Sequence, residues 1–258
     1  MCRLVAYQGE PLALSTLVFG GSHTLARQSW APRELLHGVV NVDGYGVAWR
    51  GPPGTARLAR AEPIWHDPDL EAVLNAVRAP LAVAALRSAS PGLPVSPDAV
   101  PPLILGPRIF ALNGFVPNFR ARHMRALRAR LPDSLYAELR GVSDTETLFF
   151  LAVEALDGGA SPDEALTHVV RVALEAVGAG GDECQLTMVL ASDDGLAFCR
   201  TSNRETVNSL YRRDGGSLAP DGTLLASEAL DEDGGWAPVP PHRVVSLTRG
   251  VETTKALR

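Results

Sequence analysis

The chain has 258 residues, 46% of them hydrophobic and 21% charged, a composition that supports a large buried core and excludes a disordered or fibrous protein. A formal net charge of −5 excludes the basic footprint of a nucleic-acid-binding surface. No run approaches the ~18 apolar residues of a membrane span, and the N-terminus lacks a basic-then-apolar signal pattern, so a cytoplasmic protein without a membrane partner is expected.

In chain order, residues 2–8 (CRLVAYQ) alternate as a strand, 44–50 and 81–86 read as strands ending at polar loops, and 108–112 (RIFAL) precede the dipeptide Asn113-Gly114. The arginines between Arg120 and Arg130 interleave with Met124, Leu127 and Leu131, which reads as the solvated face of an amphipathic helix. Ser143 and Glu146 have the spacing of a capping box opening a helix over 144–156, and Ser161-Pro162-Asp163-Glu164 opens another that runs to Val177. Strands return at 184–191, 196–201, 207–213, 223–227 and 243–247, with a turn at Asp193-Asp194-Gly195. Helices flanking antiparallel strands predict a layered α+β domain. The proline-rich stretches at 91–102 and 238–241 are short enough to be ordered loops.

The three cysteines, Cys2, Cys184 and Cys199, form no CxxC pair, and the six histidines no HExxH motif, so neither a disulfide framework nor a metal site is suggested. Cys184 and Cys199 lie in apolar runs and read as reduced core residues. Cys2 is different in kind. Removal of Met1 would leave a free α-amine beside a thiol, uniting a nucleophile and a base in one residue. The reference pKa values are about 8.5 for a thiol and about 7.7–8.0 for an α-amine, so the amine is free base often enough near pH ~8 to take the thiol proton. The same position also suits a small buried residue opening a strand.

Four polar loops could complete such a site. Asn41-Val42-Asp43-Gly44-Tyr45-Gly46 is a glycine turn without the lysine or context of a phosphate loop. Arg87, opening Arg-Ser-Ala-Ser-Pro-Gly, could fork onto a substrate carboxylate or serve a structural ion pair. Asn113-Gly114 suits either a hairpin turn or a two-donor oxyanion hole. Asp144 suits a helix cap or an ammonium acceptor.

The order of Cys2, DGYG, RSASPG, NG and SDTE resembles the class II glutamine amidotransferase domain, an N-terminal-nucleophile hydrolase, over residues 2 to about 150. Gln28-Ser29-Trp30-Ala31-Pro32-Arg33, the run from Ala84 to Val95, and Ala226-Ser227-Glu228-Ala229-Leu230-Asp231 are similar to the stand-alone γ-glutamyl hydrolases of ergothioneine biosynthesis, over nearly the whole chain. The resemblance implies a four-layer αββα sandwich with two antiparallel sheets, as a single domain over 1–258: a motif-bearing half at 2–150, then helices and C-terminal strands at 151–258. It implies that Cys2 attacks a γ-glutamyl amide, that Asn113 and Gly114 hold the oxyanion, that Arg87 with Ser90 binds the α-carboxylate, and that Asp144 binds the α-ammonium. The implied partner is a small-molecule γ-glutamyl substrate, γ-glutamyl-hercynylcysteine sulfoxide, with no cofactor, no metal and no nucleic acid; a homodimer is left open. Alternatives are a glutaminase subunit feeding ammonia to a separate synthetase, a γ-glutamyl-deprotecting hydrolase of another pathway, or a non-catalytic binding module.

Two positions depart from the wider amidotransferase pattern. Ala85 and Leu112 stand where many members carry histidines, Ala85 in the manner of the ergothioneine-type subgroup and Leu112 altering the polarity beside Asn113. Trp30, Tyr45 and the surrounding GGSHTLARQSW segment offer aromatic faces suited to a cationic leaving group, and equally to an ordinary core or rim role.

Overall fold

The computed structural model describes residues 1–90, 92–178 and 181–257, so Pro91 of the RSASPG motif and of the first proline-rich stretch, and Arg258 at the end of the expected domain, lie outside the described residues. Its strands are β1 (Arg3–Ala13), β2 (Tyr45–Gly51), β3 (Gly54–Arg60), β4 (Arg78–Leu86), β5 (Leu103–Leu105), β6 (Arg108–Phe115), β7 (Gln185–Ser192), β8 (Gly195–Ser202), β9 (Tyr211–Asp214), β10 (Gly222–Ala226), β11 (Ala237–Pro238), β12 (Arg243–Thr248) and β13 (Val251–Ala256). The helices are α1 (Leu14–Phe19), α2 (Leu25–Gln28), α3 (Leu70–Asn75), α4 (Met124–Arg128), α5 (Asp133–Tyr136), α6 (Asp144–Asp157) and α7 (Pro162–Val177). They divide into two compact units, Met1–Ala111 with Ser209–Val239, and Leu112–Asn208 with Pro240–Arg258.

The first unit holds an antiparallel sheet in the order β11-β9-β10-β1-β4-β2-β3. Val5 and Tyr7 of β1 and Ala82, Ala84 and Leu86 of β4 point into a core shared with Leu14, Leu17 and Val18 of α1, Leu25 of α2, and Leu70 and Leu74 of α3. Burying each such leucine is worth about 1.5–3 kcal/mol. The alternate residues Leu4, Ala6, Val83 and Ala85 are buried too, so β1 is covered on both faces over Leu4–Tyr7 rather than on one face as its alternation suggests, and β4 is the continuous apolar run of a strand buried on both faces. In register, Arg3 and Tyr45 flank Leu86 from either side. One step beyond those pairs, Cys2, Gly44 and Arg87 come to the same end of the sheet.

A proline-rich loop follows β4. Three of its carbonyls find a donor on β3: Arg57 Nε donates to Pro102 O at 2.7 Å, and Nη2 to Pro97 O at 2.8 Å and to Val100 O. Backbone N–H groups close local turns, Leu93 to Ser90 O at 3.0 Å, Ala99 to Ser96 O at 3.1 Å and Val100 to Pro97 O at 3.2 Å, and the Arg57 side chain adds donors that the prolines cannot supply.

In the second unit the strands run β13-β12-β8-β7-β6, and α7 packs on β7, β8 and β12 with α6 beside it. A two-residue turn at Asp193-Asp194 joins Ser192 to Gly195. Glu164 Oε2 accepts from the Ser161 N–H at 2.9 Å, closing the start of α7. At α6 only half of the expected capping box forms. Ser143 Oγ accepts from Glu146 N at 3.1 Å, but the Glu146 carboxylate turns away to the N–H groups of Arg140 and Gly141, at 2.8 and 3.0 Å, and to Arg128.

Two other expectations are corrected. The basic segment starts with a π-helical turn, Phe119–His123, and continues as α4 rather than as one amphipathic helix. Arg128 leaves the solvated face, donating to Thr147 Oγ1 at 3.0 Å and Gly141 O at 2.9 Å. The strand expected at 207–213 begins only at Tyr211. Asn208 instead donates through its backbone N–H to Gln185 Oε1 and through Nδ2 to Asn113 O, both at 3.1 Å, so side chains take the place of a ladder.

Candidate active site

Cys2 sits half-buried one residue before β1, its sulfur in no disulfide. Its surroundings are a loop that returns to it: the Met1 ammonium donates to His37 O at 2.9 Å, and Asn41 Nδ2 donates to Met1 O at 2.5 Å. Asn41 is itself anchored, its N–H donating to Ser29 O at 2.7 Å. Burial lowers the Met1 amine below the usual α-amine range, with Arg3 acting in the same direction and Cys2 and Asp43 opposing.

Arg87 extends from the end of β4, buried at 5% exposure. Its N–H donates to Gly44 O at 2.7 Å, its carbonyl accepts from Asp43 N at 3.2 Å, and Asp43 Oδ2 accepts from Ala89 N at 2.7 Å, so the DGYG and RSAS loops are laced together. Gly44 is obligatory there: its φ is +138°, and a Cβ would stand 2.5 Å from Val100 Cγ2 and 2.7 Å from Arg60 O. One guanidinium nitrogen, Nη2, donates to Pro94 O at 3.0 Å. Ser90 is exposed, its carbonyl accepting from Leu93 N at 3.0 Å.

Asn113 and Gly114 lie inside β6, not in a hairpin turn. The Gln185 carbonyl of β7 comes so close that a Cβ on Gly114 would meet it at 1.8 Å, so the glycine answers to sheet packing. Asn113 is fully buried and Leu112 beside it 1% exposed, where it fills apolar volume. Asp144, the first residue of α6, turns its carboxylate inward. Oδ2 accepts from Val116 N at 2.8 Å and Oδ1 from Thr145 N at 2.7 Å. Burial pushes this carboxyl above the usual range, against the pull of those hydrogen bonds. Of the expected site residues, then, Cys2, Arg87 and Ser90 belong to the first unit; Asn113, Gly114 and Asp144 belong to the second, where the Val116 N–H ties the end of β6 to the Asp144 carboxylate.

A buried polar cluster was not singled out by the sequence as one. The Glu228 carboxylate accepts from His23 Nε2 at 2.7 Å, Arg33 N at 2.8 Å and Glu34 N at 2.9 Å, with Arg3 Nη1 at 3.5 Å. Burial alone would raise Glu228, but His23, the two N–H groups and Arg3 outweigh it and hold the carboxyl below its ordinary range. The cluster fixes the loop carrying Asn41; its only sequence signal is the clustering of polar residues within apolar runs far apart in the chain. Tyr45 is buried at 1% and donates to Asp67 Oδ2 at 2.5 Å, which makes it a core residue and not a rim aromatic. Trp30 is half-exposed, edge-on to Trp65 at 5.7 Å between ring centroids, and Trp65 is a further exposed aromatic that sequence reading passed over. Cys184 and Cys199 are buried, with thiols pushed up to about 12, and so are inert at neutral pH. Among the described residues no three His, Cys, Asp or Glu side chains converge as metal ligands, and no helix is long and apolar enough to cross a membrane.

No family model matches the chain. It is 32% identical to a gamma-glutamyl-hercynylcysteine sulfoxide hydrolase of Mycobacterium tuberculosis, over 100% of this chain and 97% of that protein. It is 31% identical to the enzyme of the same name from Mycolicibacterium smegmatis, over 96% of each. Among solved structures, a glutamine aminotransferase class-II domain protein from Silicibacter pomeroyi matches over 100% of both chains, with a TM-score of 0.71 at 23% identity, which places the two antiparallel sheets and their helices in the α+β N-terminal-nucleophile amidotransferase fold. With nearly a third of its residues shared along the full length of those enzymes, the chain belongs to the gamma-glutamyl-hercynylcysteine sulfoxide hydrolase family and is a hydrolase.

Proposed function

We propose that the protein hydrolyses the γ-glutamyl amide bond of γ-glutamyl-hercynylcysteine sulfoxide, with Cys2 as nucleophile once Met1 is removed. The observation that carries this reading is the register of β1, β4 and β2, which brings Cys2, the Asp43-Gly44 turn and Arg87 to one end of one sheet. Cys2 Sγ adds to the γ-carbonyl carbon as the thiol proton passes to the α-amine. The oxyanion takes the Asn113 side-chain amide and the Gly114 N–H as donors. Collapse breaks the C–N bond, the amine returning its proton to the leaving nitrogen, and leaves a γ-glutamyl thioester. Water then adds, giving its proton to the amine; the C–S bond breaks, freeing glutamate and regenerating the thiol. Arg87, with Ser90, holds the substrate α-carboxylate and Asp144 its α-ammonium. Trp30 faces the cationic end of the leaving group.

In this reading the substrate is a small molecule, no cofactor and no nucleic acid takes part, and the enzyme acts in the cytoplasm, where a thiol stays reduced. A homodimer is compatible with it. The test is intact-mass analysis after incubation with a thiol-alkylating γ-glutamyl analogue. Loss of one methionine and a single adduct on Cys2 supports the reading, with equimolar glutamate released from the sulfoxide and no ammonia from free glutamine. Retained Met1 with an unmodified Cys2, or full activity in Cys2→Ala, would sink it.

A further inference from the structure

Asn41 presents a mismatch between its two side-chain ends. It is 1% exposed and its N–H is committed to Ser29 O. Nδ2 donates to the Met1 carbonyl, while Oδ1 is buried and accepts no hydrogen bond. A buried acceptor without a donor costs about 1–3 kcal/mol, and an asparagine in this state is poorly matched to the chain that still carries Met1.

Processing reverses the demand. The carbonyl that Nδ2 holds belongs to the Met1–Cys2 peptide bond, so its oxygen lies about 2.3 Å from Cys2 N by standard peptide dimensions. Adding the 2.5 Å hydrogen bond puts Asn41 Nδ2 within about 4.8 Å of the atom that becomes the α-amine. Removing Met1 takes away the acceptor of Nδ2 and turns one amide N–H into an amine with two or three. The buried Oδ1 is then the group short of a donor beside a group that has gained donors.

We propose that Asn41 is a positioning residue for the N-terminal base: after methionine removal its Oδ1 accepts a hydrogen bond from the Cys2 α-amine and fixes the rotation about the Cα–N bond, leaving the lone pair turned toward Sγ. The proposal rests on the reading of Cys2 as nucleophile. In the unprocessed chain the charged and titratable neighbours of the Met1 ammonium at this end of the sheet are Cys2, Arg3 and Asp43, with the His37 carbonyl as its acceptor, and none of these is a neutral side-chain acceptor held at nine-tenths burial or more. The Glu228 cluster belongs to the same arrangement, because its grip on Arg33 and Glu34 holds the loop from which Asn41 reaches back.

The test uses protein made with a leader cut immediately before Cys2, so that the amine is exposed whatever the cell does with Met1. Asn41→Ala is expected to lower kcat by about 10- to 100-fold with KM within twofold of wild type, as for a misaligned proton-transfer group. Asn41→Asp, which keeps the volume, places a carboxylate against the ammonium and is expected to move the acidic limb of the kcat/KM profile to higher pH by about one unit or more. Wild-type kcat in Asn41→Ala together with an unmoved acidic limb in Asn41→Asp would overturn the proposal, as would a change confined to KM. Cys2→Ala run alongside separates the two levels: an active Cys2→Ala removes the nucleophile reading itself, whereas an inactive one with unaffected Asn41 variants removes only this inference.

Discussion

His23 and Glu228, 205 positions apart in sequence, meet at 2.7 Å in the interior, and the carboxylate that joins them also anchors the N–H groups of Arg33 and Glu34. Removing that charge leaves Arg3, His23 and two backbone donors around a group that can no longer satisfy them. Glu228→Gln is expected to cost about 3 kcal/mol or more, measured as a lowered urea midpoint with an unchanged m-value. The folded carboxyl titrates below its unfolded value. Its contribution is therefore complete above the ordinary glutamate range, near about 4.3, and is lost as pH falls through the lower folded value. The stability gap between wild type and Glu228→Gln should close over that acidic window; a gap independent of pH would show that packing, not charge, carries the effect.

Asp144 has the opposite sign. Burial raises its carboxyl, so the ionised form needed to bind an ammonium group is lost at a higher pH than for a free aspartate. For the wild type, KM toward the γ-glutamyl substrate should climb on acidification before ordinary carboxylates titrate, while Asp144→Asn should start high and stay flat. Truncating a buried charge partner typically costs about 2–5 kcal/mol, so KM in the variant should rise by about 30-fold or more. Steady-state kinetics across pH decides it, and a pH-independent wild-type KM would remove Asp144 from substrate binding.

Gly114 has no room for a methyl group, whereas Gly54 has no neighbour within 4 Å of where a Cβ would stand. Gly114→Ala should lose about 1–3 kcal/mol of stability as β6 and β7 are forced apart, and lower kcat by about a hundredfold as the Asn113–Gly114 donors shift. Gly54→Ala should stay within about 0.5 kcal/mol of wild type and keep full activity. Thermal melts of the pair, read with turnover, would refute the packing account if the two variants behaved alike.

Trp30→Ala should raise KM for the hercynyl substrate by about 2- to 30-fold, the range of a lost cation–π contact, and leave KM unchanged for a γ-glutamyl amide with a neutral leaving group. Equal effects on the two substrates would return Trp30 to a rim role beside Trp65.

Much of the scaffold was legible because its signals are local. The alternation at β1, the apolar run at β4, the caps at Ser143 and Ser161, and the Asp193-Asp194-Gly195 turn each announce themselves within a few residues. What escaped was decided at long range. Asn113-Gly114 has the composition of a turn, yet β6 runs through it because the Gln185 carbonyl needs a neighbour without a side chain. Glu146 has capping-box spacing, but two N–H groups and Arg128 compete for its carboxylate and win. The order of the loop motifs pointed to the family; the Glu228 cluster and the Asn41 amide were invisible because each depends on which distant residues the fold brings within 3 Å.

Arg57 illustrates where such information is stored. The proline loop has few N–H groups of its own to offer, so one guanidinium on β3 supplies donors to three of its carbonyls, those of Pro97, Val100 and Pro102. The shape of that loop is thus written in a strand some forty residues upstream. Changes among the prolines that keep the carbonyls in place are tolerable, whereas a lysine at position 57, lacking the planar fork, could not hold the three carbonyls together.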